Sequence, residues 1–458
     1  MPNSVRTTLD HDHWQSRLDD LRAEHRVPGA TLAVLKDGEI HEFASGILHR
    51  GTGVEATTGS VFQLGSIAKV YTASLVMGLA EDGRLDLDAP VIEVLPEFAT
   101  VDPEATKTIT ARQLLSHTGG LTCDFIEDTG RGDDCLAKYV EAARGVALDC
   151  PPGTAASYSS VGYNVLGRIV EVLTGLTWDD ALRARIVTPL GLTETMTLPE
   201  EALRFRVAMG HLGKDPEPTA AWDLLPRSAG PYGRVLATAG DVVRFARMLL
   251  DGTAADGARV LAEETVTAMR RREVEVPDKW TLGSDGWGLG LSTYDWNGVA
   301  GFGHNGSSIG QRSYLRVVPE AGFAFALLTN HGTTDRLYTG LSRELLGELA
   351  GVRVPADFAP PSSPPSVDVA PFAGIYRREG VIITVTEKDG KLHFVYEFAD
   401  GLEGIAPPIE AELVPVAENV FAGMNSMFGD DWMPVLFTKL PDGTACCYTS
   451  MRVAPKIA

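Results

Sequence analysis

The chain has 458 residues with 40 Lys plus Arg against 61 Asp plus Glu, and the resulting net charge of −21 argues against nucleic acid or an anionic membrane surface as a general partner. An apolar fraction of 44% with 22% charged residues excludes disordered and collagen-like classes, and the length allows two or three domains with a large core. Cys123, Cys135, Cys150, Cys446 and Cys447 show neither Cys-x-x-Cys nor zinc-like His spacing, so free buried thiols are expected, without a structural metal or cofactor.

Residues 1–26 carry Asp10, His11, Asp12, His13, Asp19 and Asp20 among scattered apolar positions, which is unlike a signal peptide. No run of about 18 apolar residues follows. A cytoplasmic location is therefore expected. Trp14, Leu18, Leu21 and Arg22 fall at helical spacing over residues 14–25, and Val27-Pro28-Gly29 stops that helix. Two strands, residues 30–35 and 40–44, flank Lys36-Asp37-Gly38-Glu39, whose Asp-Gly predicts a hairpin. Residues 62–73 run from a small-residue turn into an apolar helix that is expected to begin at Ser66 and to end at Glu81-Asp82-Gly83.

Alternating helices and loops are expected to about residue 225, including a short helix at 111–115 closed by the Gly-rich turn Ser116-His117-Thr118-Gly119-Gly120. A helix over 242–250 takes Thr238 or Asp241 as its cap. Residues 286–291, 310–318 and 323–329 read as consecutive strands, so a helical layer on an antiparallel sheet is the predicted α+β architecture. Ala359-Pro360-Pro361-Ser362-Ser363-Pro364-Pro365-Ser366 reads as an extended spacer. Beyond it, Lys388-Asp389-Gly390 and Asp442-Gly443 sit between strand-like runs and predict hairpins of a small β-barrel. The expected division is thus 1–358, a linker at 359–366, and 367–458.

Ser66 and Lys69 stand at i and i+3, which share a helix face, so a buried amine is placed to take the proton of the hydroxyl. By itself Ser-x-x-Lys is a common spacing, and the alternative is a helix start with a solvated lysine. Two further stretches add weight. Tyr158-Ser159-Ser160 lies on a loop before an apolar helix, and Gly303-His304-Asn305-Gly306-Ser307-Ser308 lies beside a predicted strand. Taken singly, Tyr158 reads as a packing tyrosine, His304 and His117 as turn histidines, and Arg452 as a solvated cation.

In order, Phe62-x-x-Gly65-Ser66-x-x-Lys69, Tyr158-Ser159-Ser160 and His304-x-Gly306 resemble the three motifs of serine β-lactamases and penicillin-binding proteins, in particular the class C, esterase and D-aminopeptidase branch. Leu114-Leu115-Ser116-His117-Thr118-Gly119-Gly120-Leu121, Tyr163-x-x-Leu166-Gly167 and Thr238-Ala239-Gly240-Asp241 extend the resemblance over residues 14–350. It implies a β-lactamase-like catalytic domain followed by a lipocalin-like β-barrel. It also implies Ser66 as nucleophile, Lys69 as its activating amine, Tyr158 as proton relay, His304 as the third-motif residue, and the backbone N–H groups of Ser66 and Ser307 as oxyanion hole. Ser160, Asn305, Gly306 and Arg452 are the implied substrate contacts. Ser160 departs from the pattern, standing where the family commonly has asparagine.

A cytoplasmic domain of this kind followed by a barrel resembles the stand-alone thioesterases of nonribosomal peptide synthesis. These implications make the protein a serine acyltransferase and peptide cyclase acting on a carrier-protein-bound or thioester-activated peptide, with the barrel walling the cleft. The alternatives are a cytoplasmic D-stereospecific peptidase, amidase or esterase, and an inactive sensor.

Overall fold

The computed structural model describes residues 9–404, 406–425 and 431–458. Residues 1–8, which the signal-peptide reading and the 1–358 boundary include, lie outside the described residues. The chain divides into two compact units, one of residues 1–81, 176–270 and 291–355, the other of residues 82–175, 271–290 and 356–458.

The first unit is built on an antiparallel sheet. Its strands lie in the order Val54–Glu55, Glu39–His49, Gly29–Lys36, Phe323–Thr329, Gln311–Val318, Val299–Ser308 and Ser292–Trp296. The strand Gly29–Lys36 pairs across nearly the whole sequence with Phe323–Thr329, matching Ala30 to Thr329 and Leu35 to Ala324. Its other neighbour arrives through the predicted hairpin, with Lys36 opposite Glu39 and with Asp37 and Gly38 both left-handed at φ 51° and 85°. Asp-Gly tolerates that geometry, and the primed turn matches the twist of the strands.

Gly29–Lys36 is buried on both faces because helices cover both. Ala30, Leu32 and Val34 pack with Trp14, Leu18, Leu337 and Leu341 of the helices His11–Glu24 and Asp335–Ala350. Arg17 joins those two helices through a bidentate pair with Glu344 at 2.9 and 2.7 Å. The helix Ala239–Asp251 lies against the same strands. Thr238 is its cap, accepting from the Asp241 N–H at 3.3 Å, which decides between the two predicted caps.

Three expectations change. Ser66 does not begin the α-helix. It lies in a 3-10 turn, Gly65–Ile67, and the helix proper is Ala68–Glu81. Only Gly286 and Trp287 of the stretch 286–291 form a strand, because glycines at 286, 288 and 290 interrupt the run and Gly290 takes φ 85°. The residues His304–Ser308 lie within a strand, not beside one, since Gly301, Gly303 and Gly306 hid its alternation.

In the second unit, Ala111–Leu115, Cys135–Ala142 and Val161–Thr174 are helices, the last ended by left-handed Gly175. The short strands Val274–Glu275 and Gly286–Trp287 pair with each other. Eight antiparallel strands follow in sequence order from Gly374–Arg378 to Arg452–Pro455. The last meets the first where the Ile375 N–H donates to the Ala458 carbonyl at 2.7 Å and the Ile457 N–H to the Ile375 carbonyl at 2.8 Å. The result is a nearly closed barrel. Its interior takes alternate residues, including Ile383, Val385, Phe394, Phe421 and Phe437.

Candidate active site

Ser66 sits where a turn, a helix and a strand meet inside the first unit. Leu64 before it donates its N–H to the Val235 carbonyl, and the Leu64 carbonyl accepts from the Ser313 hydroxyl at 2.7 Å. Gly65 is left-handed at φ 52°, and a β-carbon there would run into the backbone of Ser307. Reciprocally, a β-carbon on Gly306 would run into the Leu64 carbonyl. Two glycines thus let the Ser66 turn and the strand Val299–Ser308 touch backbone to backbone.

Lys69, the second residue of the helix Ala68–Glu81 and three positions after Ser66, is fully buried. Its Nζ lies 3.4 Å from the Ser66 Oγ and donates to the Tyr232 carbonyl at 3.0 Å, with the Tyr232 ring centroid 5.1 Å away. Tyr232 was not singled out from the sequence. Its only signal is the turn-like Gly230-Pro231-Tyr232-Gly233, which Thr72 holds against the helix through a 2.7 Å bond to the Pro231 carbonyl.

His304 is buried on the same strand, and its Nδ1 lies 2.5 Å from the carbonyl of Asn305. A ring nitrogen facing a carbonyl must donate, which fixes the tautomer. Burial first, and the neighbouring Lys69 second, lower its pKa to about 3, so the imidazole is neutral at physiological pH. Pairing with Ser292–Trp296 stops at Gly303, so His304, Asn305, Gly306 and Ser307 have a strand neighbour on one side, Gln311–Val318. That leaves an edge on which an extended backbone can lie.

The second-motif residues belong to the other unit, where the loop Ser157-Tyr158-Ser159-Ser160 is held at every residue. Ser157 donates to Asp149 at 2.6 Å and accepts from the Val453 N–H at 3.2 Å. The Tyr158 N–H donates to the Met451 carbonyl at 3.0 Å. The Ser159 N–H donates to Nδ1 of His117 at 3.0 Å, and the Ser160 Oγ lies 3.3 Å from the Cys123 Sγ. His117 is itself left-handed at φ 59°, and its ring packs on those of Tyr158 and Trp287 at 4.4 and 4.6 Å. Arg452 stands with its guanidinium 5.4 Å from the Tyr158 ring centroid and donates to Cys123 at 3.0 Å. The structure therefore brings Ser66, Lys69, His304, Asn305, Gly306 and Ser307 together in one unit, and Tyr158, Ser160 and Arg452 together in the other.

A half-buried acid, Asp124, and a fully buried one, Asp149, underlie the tyrosine loop. Burial would raise the Asp124 carboxyl, but its ion pair with Arg378 and the nearby Arg452 hold it below the usual carboxylate range. Asp149 is pushed up to about 6 by burial, against the opposing pull of Arg378 and the Ser157 hydroxyl.

Residues 14–347 match the family model described as Beta-lactamase. The chain belongs to the β-lactamase family. Penicillin-binding protein 4 of Amycolatopsis lactamdurans is 62% identical to it over 376 residues, covering 81% of this chain and 99% of that protein. The crystal structure of SurE with D-Leu matches at a TM-score of 0.79 and 29% identity over 98% of this chain and 99% of SurE. The D-amino acid amidase of Ochrobactrum anthropi SV3, complexed with L-phenylalanine amide, matches at a TM-score of 0.61 and 25% identity over 73% of this chain and 96% of its own. The family resemblance read from the three motifs is thereby borne out, and its fold is that of serine hydrolases and acyltransferases. No helix among the described residues is long and apolar enough to cross a membrane.

Two predictions follow from this geometry. Gly306→Ala must push the strand off the Leu64 carbonyl, and the expected result is at least a tenfold loss of Ser66-dependent turnover, roughly 1.4 kcal/mol in activation free energy, while Ser307→Ala leaves turnover within about threefold. Steady-state kinetics on any ester substrate checks it. Asp149 binds its proton more tightly folded than unfolded, so its ionisation costs stability, by about 3 kcal/mol, between pH 3.8 and about 6, and the cost is complete above that range. Asp149→Asn keeps an acceptor for Ser157. The melting temperature of the variant relative to the parent should therefore rise from pH 4 to pH 7, and a constant difference would mean that Asp149 does not titrate there.

Proposed function

We propose that the protein is a serine acyltransferase that takes a peptidyl thioester onto Ser66 and releases it by head-to-tail macrocyclisation. The observation that carries this reading is the architecture, a β-lactamase-family chain continued into an eight-stranded barrel, which is the arrangement that the sequence resemblance connects with stand-alone peptide-releasing thioesterases. The match to SurE extends over both parts, and SurE was crystallised with D-Leu, which favours a D-configured residue at the activated end of the donor.

In this reading Lys69 takes the Ser66 proton as Oγ attacks the thioester carbonyl. The C–O bond forms, the C–S bond breaks, and the carrier thiol leaves with a proton. The N–H groups of Ser66 and Ser307 hold the oxyanion, and the edge at Asn305 and Gly306 takes the donor backbone. Neutral His304 contributes hydrogen bonding without adding a charge. The Tyr158 hydroxyl then relays a proton from the peptide's own N-terminal amine, as that amine attacks the ester, towards the departing Ser66 oxygen. The new amide C–N bond forms, the C–O bond breaks, and the proton returns to Ser66. The donor arrives on a peptidyl carrier protein in the cytoplasm, and no cofactor takes part.

The second reading is a D-stereospecific hydrolase using the same residues with water as acceptor. The match to a D-amino acid amidase favours it. Product analysis separates the two. Incubated with a linear peptide thioester ending in a D residue, the protein should yield mainly product 18 Da lighter than the free acid, about the mass of the water that ring closure excludes. The L-ended diastereomer should react at least tenfold more slowly, about 1.4 kcal/mol of discrimination. Free acid as the main product establishes the hydrolase.

A further inference from the structure

The resemblance accounts for Ser66, Lys69 and Tyr158 but leaves open what replaces the usual second-motif asparagine. Ser160 has a shorter side chain, and in this structure its hydroxyl reaches the Cys123 thiol at 3.3 Å. Cys123 is in turn 3.0 Å from Nη2 of Arg452, whose other terminal nitrogen donates to the Ser450 carbonyl at 2.8 Å. The same guanidinium covers the Tyr158 ring at 5.4 Å and stands near Asp124, 3.9 Å from its Nε. A chain from Ser160 through Cys123 to Arg452 therefore ends over one tyrosine ring.

The hairpin that delivers Arg452 is unusual. Thr449 pairs with Arg452, leaving a two-residue turn of Ser450 and Met451, both left-handed at φ 50° and 68°. The equivalent turns at Asp37-Gly38 and Asp389-Gly390 use Asp-Gly, the sequence suited to that backbone. At Ser450-Met451 two residues with side chains hold it at a cost of order 1 kcal/mol each. The Met451 carbonyl is the one that accepts the Tyr158 N–H. A strained turn persists where surrounding contacts determine it, and here those contacts are the tyrosine loop and Cys123.

We propose that the Arg452–Cys123–Ser160 chain positions Tyr158 for the acyl-transfer step, with Cys123 as the link between the barrel and the end of the tyrosine loop. This rests on the reading of Tyr158 as the proton relay. It gives the barrel a role in that step: its last hairpin fixes the backbone of the tyrosine and covers its ring with a cation. Cys123 and Arg452 act through Tyr158 and are positioning residues in this account. The thiol serves because it accepts from a guanidinium while meeting a hydroxyl.

The test uses the full chain and measures kcat and KM for Ser66-dependent acyl release, whichever product forms. Cys123→Val keeps the volume and removes the acceptor. Its kcat is expected to fall about tenfold with KM within about twofold, while Cys123→Ser retains kcat within about threefold. Arg452→Gln should lose a similar factor, and the double variant Cys123→Val/Arg452→Gln should lose no more than either alone, since the two break one chain. If Cys123→Val does not fold, Arg452→Gln against Arg452→Lys carries the same test, with partial rescue of kcat by lysine expected. The inference is overturned if Cys123→Val keeps full kcat, if the two losses multiply, if Gln and Lys at 452 behave alike, or if Arg452→Gln raises KM alone, which would make Arg452 a substrate contact. Tyr158→Phe separates the levels. Full turnover in that variant removes the relay reading itself, whereas an inactive Tyr158→Phe beside an active Cys123→Val removes only the chain.

Discussion

The constraint on which the first unit depends is the backbone contact between the Gly65–Ile67 turn and the strand Val299–Ser308. Gly65 lies against Ser307 and Gly306 lies against Leu64, and neither position has room for a β-carbon. A serine hydroxyl becomes a useful nucleophile only when its base and the donors for the developing oxyanion are fixed to within a fraction of an ångström. Side-chain packing leaves more play than that, whereas backbone set directly on backbone leaves little. The sheet that carries this strand is itself held by pairing between the two ends of the sequence, Gly29–Lys36 with Phe323–Thr329, and is buried between helices. Much of the first unit's core therefore serves to hold one turn against one strand.

Charge is handled differently around the two groups of motif residues. In the first unit Lys69 is buried beside the Tyr232 carbonyl and His304 is kept neutral. Burial is the larger cause, and any positive charge on Lys69 would disfavour a second one on the histidine, whose proton is the more easily lost. In the second unit Arg378 and Arg452 gather around one well-ionised Asp124, while Asp149 is close to neutral below pH 6. Removing one partner of such a cluster exposes the rest to an uncompensated burial cost.

Local patterns made much of this visible in advance. Asp-Gly at 37–38 and 389–390 marked hairpins correctly because that dipeptide meets a steric demand within four residues. The helix Ala239–Asp251 and its Thr238 cap were legible for the same reason. The strand carrying His304 was not, since Gly301, Gly303 and Gly306, placed there for close approach, erase the period of two that announces a strand. Tyr232 escaped notice because it contributes a main-chain carbonyl, which any residue type supplies. Asp124 and Arg378 were illegible because they are separated by 254 positions, and Cys123 because its guanidinium partner Arg452 lies 329 positions on. The motifs singled out Ser66, Lys69, Tyr158 and His304, and the fold alone shows which groups surround them.

The central claim is that Ser66 carries the peptide as an ester between donor and product. The most direct measurement is rapid quenching of the full-length protein with a D-ended peptide thioester, followed by intact mass and proteolytic mapping. The account predicts a transient mass gain equal to the peptide acid less one water, located on the fragment containing Ser66 and decaying as product appears. Turnover without any adduct on that fragment, or an adduct on another residue such as Ser160 or Cys123, would contradict it.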